Sequence, residues 1–180
     1  MTTTIRDVWW VVGVVVAVVA IATYLTWLAA RVDRLHARAA GASVALDGQL
    51  RRRAAYAAGL ASRHAVAWGG RAGELGVAAR HAAEAAPPDR EAAENDLTRR
   101  LREVVLPADD ADRDELYAHA RRVALARQVH TDLVRDALTV RRQRVVRMLL
   151  LARRHPIPEY FDIEDPTFTA EPSAPAGEPV

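Results

Sequence analysis

The chain contains no cysteine, which excludes disulfides, thiolate metal sites and cysteine nucleophiles. It contains no lysine either: all 25 basic side chains are arginine, set against 23 acidic ones. A formal net charge of +2 over 180 residues lacks the basic excess of a dedicated nucleic-acid binder, so no nucleic-acid partner is expected. Aromatic residues make up only 6% of a chain that is 51% hydrophobic. The apolar excess is mostly alanine and valine, which suits helices and a membrane span. No alternating strand pattern occurs outside the apolar N-terminal run.

That run is where charge is missing altogether. Val8 to Ala30 carries no ionisable group except Tyr24. Its 23 residues span roughly 34 Å as a helix, enough for a hydrocarbon core of about 30 Å. Trp9 and Trp10 lie at one end, with Tyr24 and Trp27 towards the other, as the two headgroup interfaces favour. A cleaved signal peptide would have a shorter apolar core after a positive start. Here the start offers only Arg6, beside Asp7. An uncleaved anchor in the cell membrane is therefore expected. Arg31, Arg34 and Arg38 come after the span and only Arg6 precedes it. This bias places a tail of residues 1–7 outside and the bulk of the chain in the cytoplasm.

Beyond the anchor, apolar residues recur in steps of three or four: Leu35, Ala39, Ala42, Leu46, Leu50, Ala54, Ala57 and Ala61. Arg51, Arg52 and Arg53 read as a solvated face beside that stripe. Gly69 and Gly70 weaken the helix by about 1 kcal/mol each relative to alanine. Pro87-Pro88 is a firmer stop, and Asp89, Glu91 and Glu94 suit the start of a new helix. Pro107 ends that helix. Asp109 or Asp110 then caps a last helix running to about His155, before Pro156 and Pro158. Residues 162–180 are rich in proline, alanine and glutamate, and read as a disordered tail.

The expected fold class is all-α: a transmembrane helix continuing into an antiparallel up-and-down bundle over residues 31–161. A break at Gly69-Gly70 gives four helices, about 31–68, 71–86, 89–106 and 110–155. A first helix continuing to Ala86 gives three. On the four-helix threading the last helix returns towards the anchor. The expected core includes Leu46, Leu50, Leu97, Leu101, Val123, Leu133 and Ala137.

Chemistry-bearing patterns are few. Asp110, Asp112 and Asp114 match the opening of a calcium loop, but Glu115 stands where glycine is needed and Arg121 where a bidentate Glu is needed. They read as carboxylates at a helix N-terminus. The histidines at 36, 64, 81, 119, 130 and 155 form no i, i+4 pair, so a helical zinc site is unsupported. No phosphate loop or nucleophile elbow occurs. No catalytic, cofactor-binding or metal residue is assigned. Arginine clusters dominate the local charge. The last of them, Arg141, Arg142, Arg144, Arg147, Arg153 and Arg154, is read as a contact for anionic lipid headgroups, at about 1 kcal/mol per charge near the surface.

Three segments resemble the LemA family of single-span bacterial membrane proteins. Leu46-Asp47-Gly48-Gln49-Leu50-Arg51-Arg52-Arg53-Ala54 is similar to that family's Ile-Asp-x-Gln-Leu-x-Arg-Arg-Ala stretch. Ala126 to Asp136 resembles its Ala-Arg-x-x-Tyr-Asn segment, with His130-Thr131 in place of Tyr-Asn. Pro158-Glu159-Tyr160-Phe161 resembles its closing Pro-x-Tyr-Phe. The family's Pro-Asn-Leu is Ala58-Gly59-Leu60 here, and the middle of the chain matches poorly. The resemblance implies an anchored helical bundle and carries over no catalytic residue.

The function expected from these readings is a non-enzymatic, membrane-anchored scaffold. Its partners are the lipid bilayer and either an unidentified protein or another copy of the chain. A homo-oligomeric membrane-associated assembly ranks second. An enzyme whose site forms only in the folded bundle ranks third.

Overall fold

The computed structural model describes residues 2–149 and 151–165, without the side chains of 2–8, 153 and 154. The described residues are helical and contain no strand. The helices are α1 (Thr2–Arg63), α2 (Ala65–Trp68), α3 (Gly70–Glu84), α4 (Pro87–Glu103), α5 (Ala111–Arg141) and α6 (Arg144–Met148), with a 3₁₀ turn after them at Leu151–Arg154. They divide into two compact units, one of Met1–Ala42 with Thr131–Tyr160, the other of Ser43–His130 with Phe161–Val180.

Local chemistry explains most boundaries. The apolar run and the first amphipathic stripe form one continuous helix, α1. The backbone ladder persists across His64, with its N–H donating to the Leu60 carbonyl at 3.0 Å and its carbonyl accepting from Trp68 at 3.0 Å. The chain turns at Gly69, whose φ of 53° and ψ of −124° a side chain would resist. Pro87 and Pro88 open α4, where a missing N–H costs nothing. Asp110 caps α5: its Oδ1 accepts the Asp112 N–H at 2.9 Å.

In the second unit, α1 contributes Ala54, Ala57, Leu60 and Ala61 to the larger core. They meet Leu75, Ala79 and Ala82 of α3, Ala93, Leu97 and Leu101 of α4, and Leu116 of α5. Alanine on α1 and α3 lets helix backbones approach closely. Leu46 and Leu50 pack separately with Val123 and Ile163. In the first unit, Leu28 and Val32 pack with Val140, Val146 and Ala152.

Four sequence expectations need correction. The last helix stops at Arg141 rather than near His155. Val140 and Val146 are six residues apart, about 120° from facing the same way on a straight helix. The break at Arg142-Gln143 lets both join Leu28 and Val32. Leu133 is only half-buried, and its neighbour Val134 takes the interior position. Arg53 is not on a solvated face but is buried at 1% exposure. The tail does not lose its structure at residue 162: Ile163 is buried, and the Arg127 guanidinium donates to its carbonyl at 3.0 Å. Residues 166–180, also expected to be disordered, lie outside the described residues.

Replacing Leu50 by Ala is expected to cost about 2–5 kcal/mol, because the side chain is fully enclosed. Replacing the exposed Arg52 by Ala should stay within about 0.5 kcal/mol. Denaturant unfolding in detergent measures both, and equal effects would contradict the assigned faces.

Candidate functional site

Three polar constellations stand out, two in the second unit and one in the first. In the first of these, Arg53 on α1 reaches Glu94 on α4. Arg53 Nη2 donates to Glu94 Oε2 at 2.8 Å and to Thr98 Oγ1 at 3.1 Å. Glu94 is fully buried, and Arg90 approaches its other oxygen at 3.7 Å. Arg90 in turn pairs with Asp47 at 2.7 Å. Burial pushes the Glu94 carboxyl up, while Arg53 and Arg90 oppose that shift. Spacing offered a clue: positions 46, 50, 53, 57 and 60 share one stripe, as do 90, 94, 97 and 101 on α4. Opposite charges on two apolar stripes identify a buried pair only once the stripes are known to face each other.

The second constellation joins the end of α1 to the start of α5. Asp112 accepts from Arg63 Nη2 at 2.6 Å, from the Tyr56 hydroxyl at 2.9 Å and from His64 Nε2 at 2.9 Å. His64 stacks on Trp68 and Tyr56 on His119. Hydrogen bonds from Arg63 and then His64 hold the Asp112 carboxyl well below the usual carboxylate range. Burial, aided by the Asp112 contact, pushes the Tyr56 hydroxyl up to about 12. Burial lowers the His119 and His130 imidazoles. Asp112 is thus committed to protein donors, and Asp110 to its cap. Among the described residues no group of three or more His, Asp or Glu side chains is placed to hold a metal. An arginine pairs with the carboxylate in each of these two clusters.

The third constellation lies in the first unit and contains the arginines singled out from the sequence. His155 Nε2 donates to Asp33 Oδ1 at 2.8 Å, and its ring stacks on His36 with centroids 4.6 Å apart. His36 Nδ1 donates to the Val32 carbonyl at 2.9 Å. Arg141 Nη1 donates to the His155 carbonyl at 3.2 Å. These bonds and the Leu28–Val146 cluster secure the described part of residues 140–155 to α1 across the end of its charge-free run. Arg142, Arg144 and Arg147 are exposed there; the side chains of Arg153 and Arg154 lie outside those described. On α1 itself, the Arg31 guanidinium sits 5.5 Å over the Trp27 ring. His155 and Asp33 are 122 residues apart, and only the return of the chain unites them.

Among the described residues one helix is long and apolar enough to cross a membrane: its most apolar 18-residue window has a mean hydropathy of 2.4 and is only 6% buried. Comparison with family models, with curated proteins and with solved structures returns no match.

Truncating Arg53 to Ala should cost about 3–5 kcal/mol by stranding Glu94, whereas replacing Arg53 by Met together with Glu94 by Leu should cost far less. A double-mutant cycle measured by unfolding checks the contrast. Asp112 has a depressed folded pKa, so its contribution to stability is complete above the unfolded value of about 3.9 and fades as pH falls through the folded one. Asp112→Asn should therefore lose about 1 kcal/mol at neutral pH, a low figure because water screens half-exposed Arg63. It should also flatten the loss of stability below pH 4. An unchanged acid limb would contradict this role.

Proposed function

We propose that the chain is a single-pass protein of the cell membrane, with residues 1–7 outside and the bundle in the cytoplasm. It serves as a non-enzymatic scaffold that presents a helical surface next to the bilayer. The observation that carries this reading is the apolar stretch of α1 from Val11 to Val19, whose valines are about half exposed, with only 6% of the most apolar window buried among the described residues. Support for the orientation comes from Arg31, Arg34 and Arg38 after the span against Arg6 before it. The likeness to LemA-type proteins agrees with this reading and rests on the three short segments alone.

Arg142, Arg144 and Arg147 act as the headgroup contact. Six arginines and no acidic residue occur between Ala137 and Pro158. Such a segment is attracted to an anionic leaflet by about 1 kcal/mol per charge close to the surface. The matched carboxylates of the second unit support a structural rather than catalytic role for its polar clusters. Among the described residues of the second unit, Val44, Val66, Val77 and Val105 are exposed singly on different segments, and only Leu125 and Val129, one turn apart on α5, share an exposed face that could support the homo-oligomeric reading.

A C-terminal green fluorescent protein fusion should fluoresce, and a C-terminal alkaline phosphatase fusion should be inactive. The reverse pattern would overturn the orientation, and release of the chain by alkaline carbonate would overturn the anchor. In anionic nanodiscs, trypsin should cleave at Arg142, Arg144 and Arg147 more slowly than in zwitterionic ones. Molar salt should bring the two rates together, because the Debye length falls to about 3 Å and only the part of the contact that depends on lipid charge is screened.

A further inference from the structure

Among the described residues of 142–157, arginines are interspersed with apolar side chains that remain partly or largely exposed. Met148 is 82% exposed, and Val145, Leu149 and Ile157 are exposed with it. They belong to a segment whose Val146 is fully buried in one cluster with Leu28 and Val32. Leu28 lies two residues inside the charge-free run that ends at Ala30, a rise of about 3 Å along the helix. A segment packed at Leu28 and Val32 therefore lies at the level where the apolar run gives way to charge. The Trp27–Arg31 pair marks the same level, with an aromatic ring and a cation suited to a headgroup layer.

We propose that residues 142–157 form a second membrane-contacting element, with Val145, Met148, Leu149 and Ile157 inserting into the interfacial layer of the leaflet where α1 leaves the bilayer. The occupant of this face is the lipid surface itself. Two observations select it: the apolar residues are interleaved with arginine and no carboxylate, matching an anionic headgroup layer, and the face is continuous with the end of the span. The short α6 is too brief to bind a membrane alone. Its tie to α1 through Val146, His155 and Asp33 supplies the placement that a free peptide would have to acquire by binding. This inference rests on the reading of residues 8–30 as a span and adds a depth to the headgroup contact.

Because the chain has no cysteine, one substitution gives one labelled site. Met148→Cys, Val15→Cys and Val66→Cys are each labelled with the environment-sensitive fluorophore NBD. The full chain is reconstituted in phosphatidylcholine vesicles containing phosphatidylglycerol and a lipid bearing a nitroxide near the headgroup. Val15 reports on the span, and Val66, fully exposed on α2, reports on water. The expected result is blue-shifted emission at position 148, quenched several-fold more strongly than at 66, and retained at molar salt. Water-like emission at 148 with apolar emission at 15 would overturn the insertion and leave the span intact. Water-like emission at both would overturn the span as well. A blue shift at 148 without nitroxide quenching would overturn lipid insertion in favour of a protein contact. Quenching that disappears in salt would reduce the contact to arginine electrostatics and also overturn insertion.

Discussion

A valine-rich helix surface that the rest of the chain leaves bare needs another apolar environment. Residues 9–24 of α1 have this character among the described side chains, and most of the remaining described structure in the first unit is arranged near the point where that surface ends. Leu28 and Val32 are the first described side chains of α1 to be enclosed, and the end of α5, α6 and the turn after it enclose them. The same level carries Trp27, Arg31 and a segment with six arginines and no carboxylate. Apolar length, aromatic position and charge sign thus change together over a few residues. That coincidence is the strongest physical reason to read the region as a membrane boundary.

The second unit is built under a different constraint. Much of its interior is alanine, which buries little area and makes few specific contacts. Helices with such seams can slide or rotate at small cost. The Arg53–Glu94–Thr98 cluster resists sliding, because any shift would leave a charge in the interior without its partner. At the start of α5, Asp112 ties three side chains from the α1 terminus to the next long helix. Polar contacts here supply the specificity that a thin alanine core lacks. Burial drives the pKa shifts of Glu94, Tyr56 and His119, while hydrogen bonding from Arg63 drives that of Asp112.

Much of the fold is legible in the sequence because the punctuation is explicit. Pro87-Pro88 and Gly69 stand where helices begin or end, and Asp110 stands where a cap is needed, whereas α4 stops at Glu103, four residues before the Pro107 expected to end it. Three- and four-residue spacing correctly puts Leu46, Leu50, Leu97, Leu101, Val123 and Ala137 inside. The break after Arg141 has no glycine or proline to announce it. It arises from tertiary packing, since Val140 and Val146 must both face the same cluster. The burial of Arg53 is hidden in the sequence by its two solvated arginine neighbours. That of Ile163 is hidden because a lone apolar residue in a proline-rich stretch gives no periodic signal. The arginine segment is legible as charge, but its exposed methionine and leucine gain meaning only once Val146 fixes where they stand.

The functional reading depends most on residues 140–155 folding back against the foot of α1 at the bilayer surface. Nitroxide labels at Arg34→Cys and Arg142→Cys, both exposed positions, test this by electron–electron double resonance in a reconstituted bilayer. The folded-back arrangement predicts a single short separation of about 20 Å, roughly two helix diameters. A separation near the length of the 31-residue α5, about 46 Å, would contradict it.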